Sequence, residues 1–351
     1  MIPAPGRRSL DRILDANVNR AAEGLRTLEE VARFILDDGA VAQRCKNIRH
    51  QVRNVLPATI VASRDVAGDV GTAYQSGAQP RAHLIGHIRA NAARAQEALR
   101  AAEEAARLVG LPAAAVFETA RYAAYSLESA LLSRLPAWRL WQVRVYVLVD
   151  TALCAEPVAV AQAAVRGGAG AIQLRAKGLP GRAYRELAAR MQAAVAEAGA
   201  FFVVNDHVDI AAVLAADAIH VGQADLAVAD VRAVVGPLTA IGMSCHTHEQ
   251  LITAQGDGAD YVGLGPMFAT TTKPHEPCRG PELLDQVRAE LRVPSYAIGG
   301  LDPARIATLG TRIPHGVALA GTVCRAADPE RATAEIVDLL EREDPLLAGR
   351  P

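Results

Sequence analysis

The side chains in this sequence whose types and spacing best suit an anion or a metal fall at the ends of short β-rich runs in its last two thirds. One run reads Gln173-Leu-Arg175-Ala-Lys177, and strand alternation puts Gln173, Arg175 and Lys177 on one side with Ile172 and Leu174 on the other. Burying an Arg and a Lys without a counter-charge is costly, so the cluster calls for an anion, unless these are ordinary solvated residues at a strand end. Two further runs end in Asn205-Asp206 and in Gly222-Gln-Ala-Asp225. Carboxylates from neighbouring strand ends, facing an Arg and a Lys, can hold a Mg2+ that bridges a pyrophosphate. The competing reading is helix capping, which suits Asp209 better than Asp206.

Ser244, at the tip of another run, is placed to hydrogen-bond a ligand oxygen. His246 follows it, but Thr247 with Gln250 fits a capping box, which makes the histidine structural rather than an acid or base. The segment GPMFATTTKP sets Thr270, Thr272 and Lys273 on one loop, hydroxyls and an ammonium suited to phosphate. Gly299, Gly300 and Gly321 end two later runs, where backbone N–H groups can take a phosphate or a tight turn can need a glycine. No Ser/His/Asp or Cys/His nucleophile arrangement stands out. Cys45, Cys154, Cys245, Cys278 and Cys324 are odd in number, widely spaced and without a CxxC pair, so neither a disulfide framework nor a zinc site is suggested.

The elements that must position these residues begin after Gln142. Eight β-rich runs alternate with Ala-rich helical segments: VRVYVLVD, AIQLR, FFVVN, AIHVG, AIGMS, DYVGLGP, PSYAIGG and HGVALAG. Eight strands, each followed by room for a helix, predict a (β/α)8 barrel of the TIM type, whose site lies at the C-terminal strand ends. A doubly wound open sheet would call for a glycine-rich first turn, and the first turn here reads DTALCAEP.

Before the barrel, the pattern is helical from about Leu10 to Leu132, with Val18, Ala21, Leu25, Leu28, Ala32 and Ile35 forming one apolar stripe. NVNRAAEGLRTLEEVAR, starting at Asn17, recurs as NAARAQEALRAAEEAAR at Asn91, which predicts two equivalent helices in a pseudo-symmetric bundle. SRDVAGDVGT, from Ser63, interrupts the helical period and reads as a loop. The division expected is an all-α domain over 1–138 and the barrel over 139–351, with Trp138 and Trp141 available to cover the seam.

At 351 residues two cores are expected. Net charge is −1 and no long basic run is present, which points to small-molecule partners rather than nucleic acid or an anionic membrane. No apolar stretch approaches a membrane span and the start lacks a signal-peptide core, so the protein is expected in the cytoplasm. Oligomeric state is left open, a homo-oligomer included.

In this order, QLRAK, ND, HVGQAD, GMS, GPMFATTTK, IGG and VALAG resemble the thiamine-phosphate synthase family, over essentially all of 143 to 340. The resemblance implies a transferase that joins hydroxymethylpyrimidine pyrophosphate to a thiazole phosphate, releasing pyrophosphate and forming thiamine phosphate. It implies that Gln173, Arg175, Lys177, Asn205, Ser244 and Lys273 bind the pyrimidine pyrophosphate, with Arg175, Lys177 and Lys273 acting on the leaving group. Asp206 and Asp225 would bind Mg2+. Thr270, Thr272, Gly300, Ala320 and Gly321 would hold the thiazole phosphate. The family often carries Ser where this chain has Gly321, so a hydroxyl is lost there while the backbone donor stays. The sibling thiazole tautomerase, which shares the barrel, is the alternative within enzymes, and both aspartates and Lys273 speak against it. A ligand-binding regulator with a helical interaction domain is the alternative outside them.

DANVNRAAEGLRTLEE and SRDVAGDVGT resemble the small helical domain fused to some of these synthases and associated with hydroxymethylpyrimidine-phosphate kinase activity. Asp65 and Asp69 would then hold a nucleotide-bound Mg2+. The simpler account of Glu23, Arg26 and Glu30 is mutual pairing on a helix surface.

Overall fold

The computed structural model describes residues 6–65, 84–270 and 277–343. The chain divides into two compact units, Met1–Leu135 and Pro136–Pro351.

The first unit is helical: α1 (Arg7–Phe34), α2 (Gly39–Asn54), α3 (Leu84–Leu108) and α4 (Ala113–Leu132). The α1 stripe is buried from Leu10 through Ala32, whereas Ile35 lies beyond the helix end and is half-buried. α1 packs on both α2 and α3, and α3 on α4. Gly24 lets α1 approach α3 closely; a Cβ there would stand 2.7 Å from the Asn91 carbonyl oxygen.

The repeat is visible in chemistry as well as sequence. Asn17 and Asn91 each donate to the carbonyl four residues earlier, on Ile13 and His87, both at 2.9 Å. Glu29 is buried against Arg49 of α2 at 2.8 Å, and its counterpart Glu103 against Arg121 of α4 at 3.0 Å. Each glutamate also meets an arginine three residues earlier on its own helix, Arg26 or Arg100. The recurring charges therefore pin one helix to the next in each half. The surface pairing read from the sequence holds for Arg26 with Glu30, at 2.8 Å.

The second unit opens with a short helix α5 (Pro136–Arg139) and closes eight parallel strands into a barrel in sequence order, β8 returning to β1. The strands are β1 (Val145–Asp150), β2 (Ala171–Arg175), β3 (Phe201–Asn205), β4 (Ala218–Val221), β5 (Ala240–Cys245), β6 (Tyr261–Leu264), β7 (Ser295–Ile298) and β8 (Gly316–Leu319). The intervening helices are α6 (Pro157–Arg166), α7 (Gly181–Ala196), α8 (Val208–Leu214), α9 (Val228–Val235), α10 (His248–Gly256), α11 (Glu282–Val287) and α12 (Pro303–Leu309). α13 (Gly321–Cys324) and α14 (Pro329–Glu343) follow β8. All eight expected runs are strands. The glycine ends of the later runs lie outside the ladders, because there the chain already turns with positive φ at Gly299 and Gly300.

Two layers of apolar packing fix the barrel. Outward residues such as Val147, Ile172, Phe202 and Val262 pack under the helices, while a second cluster fills the interior. Tyr146, Tyr261 and Tyr296 converge inside, ringed by Ala171, Ala218, Ala240 and Ala318, and Leu140 belongs to the same cluster. Large rings facing small side chains fill the barrel below the mouth, and an open cavity lies above them at the C-terminal strand ends. Trp141 lies edge-on to His315 within this unit.

Candidate active site

Alternation along each strand carries the interior from the tyrosine layer up to an open cavity of about 310 Å3 at the C-terminal strand ends. Its walls include Gln173, Arg175, Asn205, His220, Ser244 and Thr270, and the backbone of Gly299, Gly300, Ala320, Gly321 and Thr322.

Gln173 is 1% exposed and its orientation is set from below. Its Nε2 donates to the Tyr146 hydroxyl at 3.1 Å, that hydroxyl lies 3.2 Å from the Tyr261 hydroxyl, and Tyr261 donates to the Ile219 carbonyl. With the amide nitrogen pointing down this chain, Oε1 is buried and without a hydrogen-bond partner among the described residues, in a side chain that lines the cavity. Burial pushes the Tyr146 and Tyr261 hydroxyls far above the ordinary phenol range, so both stay protonated and the chain keeps its direction.

Arg175 departs from the sequence reading. It was expected to lack a counter-charge, yet its Nη1 is ion-paired with Asp150, the last residue of β1, which is 2% exposed. The β1–β2 register sets these two residues side by side, a pairing that strand spacing alone does not reveal. The other Asp150 oxygen accepts from the Ala152 N–H at 2.9 Å. Arg175 is thus held in place before any ligand arrives.

Asn205 is anchored by Tyr184 of α7, whose hydroxyl accepts the Asn205 N–H at 3.1 Å and donates to the Leu174 carbonyl at 2.8 Å. The next residue, Asp206, has φ of 62°, in the left-handed region that aspartate tolerates better than most non-glycine residues. Burial and the neighbouring Asp225 charge both raise its carboxyl above the usual range, and Lys177 opposes them. Asp225 accepts the Gly222 N–H at 2.7 Å. Neither aspartate caps a helix: the N-cap residue of α8 is His207 and that of α9 is Ala227, each without a side-chain cap hydrogen bond. Asp209 sits in the first turn of α8 without capping it either. Lys177, Asp206 and Asp225 form a rim cluster beside Asn205 rather than lining the cavity itself.

Ser244 lines the cavity, and its Oγ is 2.9 Å from His220 Nε2. His220 was not singled out from sequence; its position on the inward side of β4, two residues after Ala218, was the available signal. Gly242 makes room for it, because a Cβ there would fall 2.6 Å from His220 Nδ1 and 2.1 Å from the Tyr261 ring. His246 holds loop structure, with Nδ1 2.6 Å from the Gly265 carbonyl oxygen. Thr247 accepts the Gln250 N–H as expected, but the Gln250 side chain returns to the N–H of His246 instead of Thr247.

After β7, Gly299 and Gly300 have φ of 99° and 63°, and a Cβ on either would strike the β6 loop, at Pro266 and at the Ala269 carbonyl. These two glycines are required by close approach and backbone shape together. The same loop is tied to β7 by Met267 N–H to Ile298 O and Phe268 N–H to Gly299 O, which brings Thr270 to the cavity. Thr272 and Lys273, expected on this loop, lie outside the described residues. Arg305 and Arg325 also line the cavity and were missed, since neither sits in a strand-end motif.

Comparison with known proteins agrees with this geometry. The family described as thiamine monophosphate synthase matches residues 145–323, and the ThiD2 family matches residues 12–130. The thiamine-phosphate synthase of Gloeobacter violaceus is 37% identical, over 94% of this chain and 97% of that protein. That of Synechocystis is 35% identical over 96% and 98%. The chain belongs to the thiamine-phosphate synthase family. Both units take part in these matches, since they extend over nearly the whole chain. Among solved structures, thiamine phosphate pyrophosphorylase from Pyrococcus furiosus aligns with a TM-score of 0.54 and 30% identity, covering 58% of this chain and 98% of that one.

The activity of this family member is coupling of the aminopyrimidine pyrophosphate to a thiazole phosphate. The cavity suits it, having fixed donors and acceptors at the strand ends. No helix among the described residues is long and apolar enough to cross a membrane.

Proposed function

We propose that the aminopyrimidine sits on Gln173, with its pyrophosphate among Arg175, Lys177, Asn205, Ser244 and Lys273, and that the thiazole phosphate lies against Thr270, Thr272, Gly300, Ala320 and Gly321. The observation that carries this arrangement is the oriented Gln173: a buried carbonyl oxygen with no partner among the described residues, in a side chain that lines the cavity, takes an N–H donor from a ligand. The pyrimidine amino group is such a donor.

Among the described residues no group of three or more His, Cys, Asp or Glu side chains could hold a metal. Mg2+, however, is commonly held by one or two carboxylates and completes its shell with water and substrate phosphate. Asp206 and Asp225 fit that need, because their mutual repulsion, opposed by Lys177, is relieved by a cation. Mg2+ bound there would neutralise charge on the departing pyrophosphate.

The C–O bond between the pyrimidine methylene and pyrophosphate breaks with its electron pair leaving on pyrophosphate, and the thiazole nitrogen lone pair forms the new C–N bond. No proton needs to move. Gln173 accepts from the amino group whose nitrogen feeds electrons into the ring as positive charge grows on the methylene. Arg175, immobilised by Asp150, presents a fixed cation to the leaving group, with no reorganisation needed at the moment of departure.

For the helical unit the proposal is phosphorylation of the pyrimidine monophosphate, which supplies the pyrophosphate ester used by the barrel. The supporting observation is where the repeat fails. Of the charges shared by both halves, Arg26 pairs with Glu29 and Arg100 with Glu103, whereas Arg12, Asp15 and Asn19 have Gly86, Arg89 and Ala93 as counterparts. Asp15 is 7% exposed, takes both ends of the Arg64 guanidinium at 2.8 Å and lies 3.2 Å from Asn19 Nδ2. Arg12 approaches Asp65 at 3.8 Å. Asp69 lies outside the described residues.

One assay tests both parts. With Mg2+, the full chain makes thiamine phosphate from the pyrimidine pyrophosphate and the thiazole phosphate, and stops when the metal is chelated. Given pyrimidine monophosphate and ATP instead, the full chain still makes product while a fragment starting at Pro136 does not. Equal rates with and without Mg2+ overturn the metal assignment. Absence of product from monophosphate and ATP, in a preparation active on the pyrophosphate, overturns the kinase assignment.

A further inference from the structure

Gly321 has a different reason for being glycine than Gly299 and Gly300 at the end of the adjacent strand. Its φ is not in the positive range, and it begins α13 in a backbone conformation open to any L-residue. What a side chain there would meet is the guanidinium of Arg325: a Cβ on Gly321 would stand 2.6 Å from Nη1 and 3.3 Å from Cζ. Arg325 lies one turn later, its N–H bonded to the Gly321 carbonyl at 3.1 Å. Side chains on a helical turn lean toward its N-terminal end, so the arginine folds back over position 321, and the missing Cβ lets it reach the cavity wall. Both residues line that wall beside Ala320 and Thr322.

A second arginine on this side, Arg305, braces the backbone. Arg305 donates to the Gly300 carbonyl at 2.6 Å, lies 3.6 Å from Asp302 and stacks over Phe268 at 5.2 Å, which braces the glycine turn. Arg175 stands two strands on from β8, on β2, where it is ion-paired with Asp150.

We infer that Arg325 is a ligand for the monophosphate of the second substrate, and that Gly321 is its steric complement: the space a side chain would fill is given to a guanidinium. This rests on the reading of the β7–β8 wall as the thiazole-phosphate site. An arginine offers a monoester phosphate two parallel N–H donors and a full charge, against the single donor of a hydroxyl.

The test uses the full-length protein and steady-state coupling kinetics, with each substrate varied in turn and with the thiazole phosphate compared to its unphosphorylated alcohol. Arg325→Gln raises KM for the thiazole phosphate about tenfold or more and leaves KM for the pyrimidine pyrophosphate within about twofold. Its kcat/KM for the alcohol is unchanged, so the preference for the phosphate shrinks. Gly321→Ser alone displaces the guanidinium and raises the same KM. The double variant Gly321→Ser/Arg325→Gln is no worse than Arg325→Gln alone, because the space conflict is gone and a hydroxyl is gained. Because the clashing atom is the tip of a flexible side chain, both single variants keep the wild-type melting temperature within a few degrees. If Arg325→Gln retains the wild-type preference for phosphate over alcohol, or if the two substitutions add independently, the inference is overturned while the wall assignment stands. If the wild type itself shows no preference for the phosphate, the wall assignment fails first.

Discussion

Both units bury charged or polar side chains, and they do so to opposite ends. In the helical unit, Glu103 is 0% exposed and reaches Arg121, Arg100 and Arg107, so its charge is met on every side. In the barrel, Gln173 is equally buried, but its hydroxyl chain satisfies only one end of the amide and leaves the other without a partner among the described residues. Asp206 stands between them, buried in part, opposed by Asp225 and answered only incompletely by Lys177. A buried polar group that its neighbours satisfy holds the fold, and one they leave unsatisfied marks where a ligand belongs.

This contrast breaks most visibly at Glu103. Glu103→Ala strands the Arg121 guanidinium in the helix interface and should destabilise the helical unit by about 3–5 kcal/mol. Circular dichroism melts would register it as a lost or lowered helical transition, with coupling from preformed pyrimidine pyrophosphate unchanged. Glu104→Ala, on the exposed side of the same helix, should cost less than about 0.5 kcal/mol. Equal effects from the two would remove the distinction between a pinning charge and a solvated one.

Asp206→Asn sharpens the comparison because two readouts should move in opposite directions. Coupling should fall on the order of 100-fold or more, since an amide is a poor Mg2+ ligand. Stability should rise slightly, read as a small upward shift of Tm in the metal-free protein. The sign follows from linkage. A carboxyl whose pKa is higher in the folded state than its unfolded value of 3.8 binds protons more tightly when folded. Its effect on stability is therefore lost as pH rises through that window, and above it the ionised group is a liability that asparagine lacks. Asparagine also suits the left-handed backbone at this position. A variant both inactive and clearly less stable than wild type would show that Asp206 is a structural partner.

The smallest effect is expected at Gln173. Gln173→Glu puts an ionisable acceptor in place of the amide and removes the donor to Tyr146, and coupling should fall about tenfold through kcat, with the thiazole-phosphate KM unchanged. A change confined to that KM would move Gln173 out of the pyrimidine site.

Sequence pattern revealed the barrel because an enclosed parallel strand is a local signal: each run is short, β-rich and bounded by helix-forming segments. It also showed which strand ends carry polar residues, since alternation with period two is a property of one strand. Asp150 was missed as the partner of Arg175 because the pair exists only across the β1–β2 ladder, 25 residues apart. His220 was missed because a lone histidine in a strand gains meaning only when Ser244 of the adjacent β5 is set 2.9 Å away. In the helical unit, the repeat announced equivalent helices, but not that Glu29 and Glu103 would lie inward with arginines from α2 and α4.

What the sequence by itself determined is periodicity: eight β runs, two related helices, and the faces that successive side chains share. Those properties depend on backbone geometry within one element, which is the same wherever that element is packed. Tertiary structure decided which charges meet, which polar atom is left without a partner, and why Gly321 differs from Gly299 and Gly300. Each of these depends on distances between elements far apart in the chain, and on the space a neighbour occupies. The Gly321 Cα shows the difference most directly, for its glycine answers to a guanidinium rather than to its own backbone.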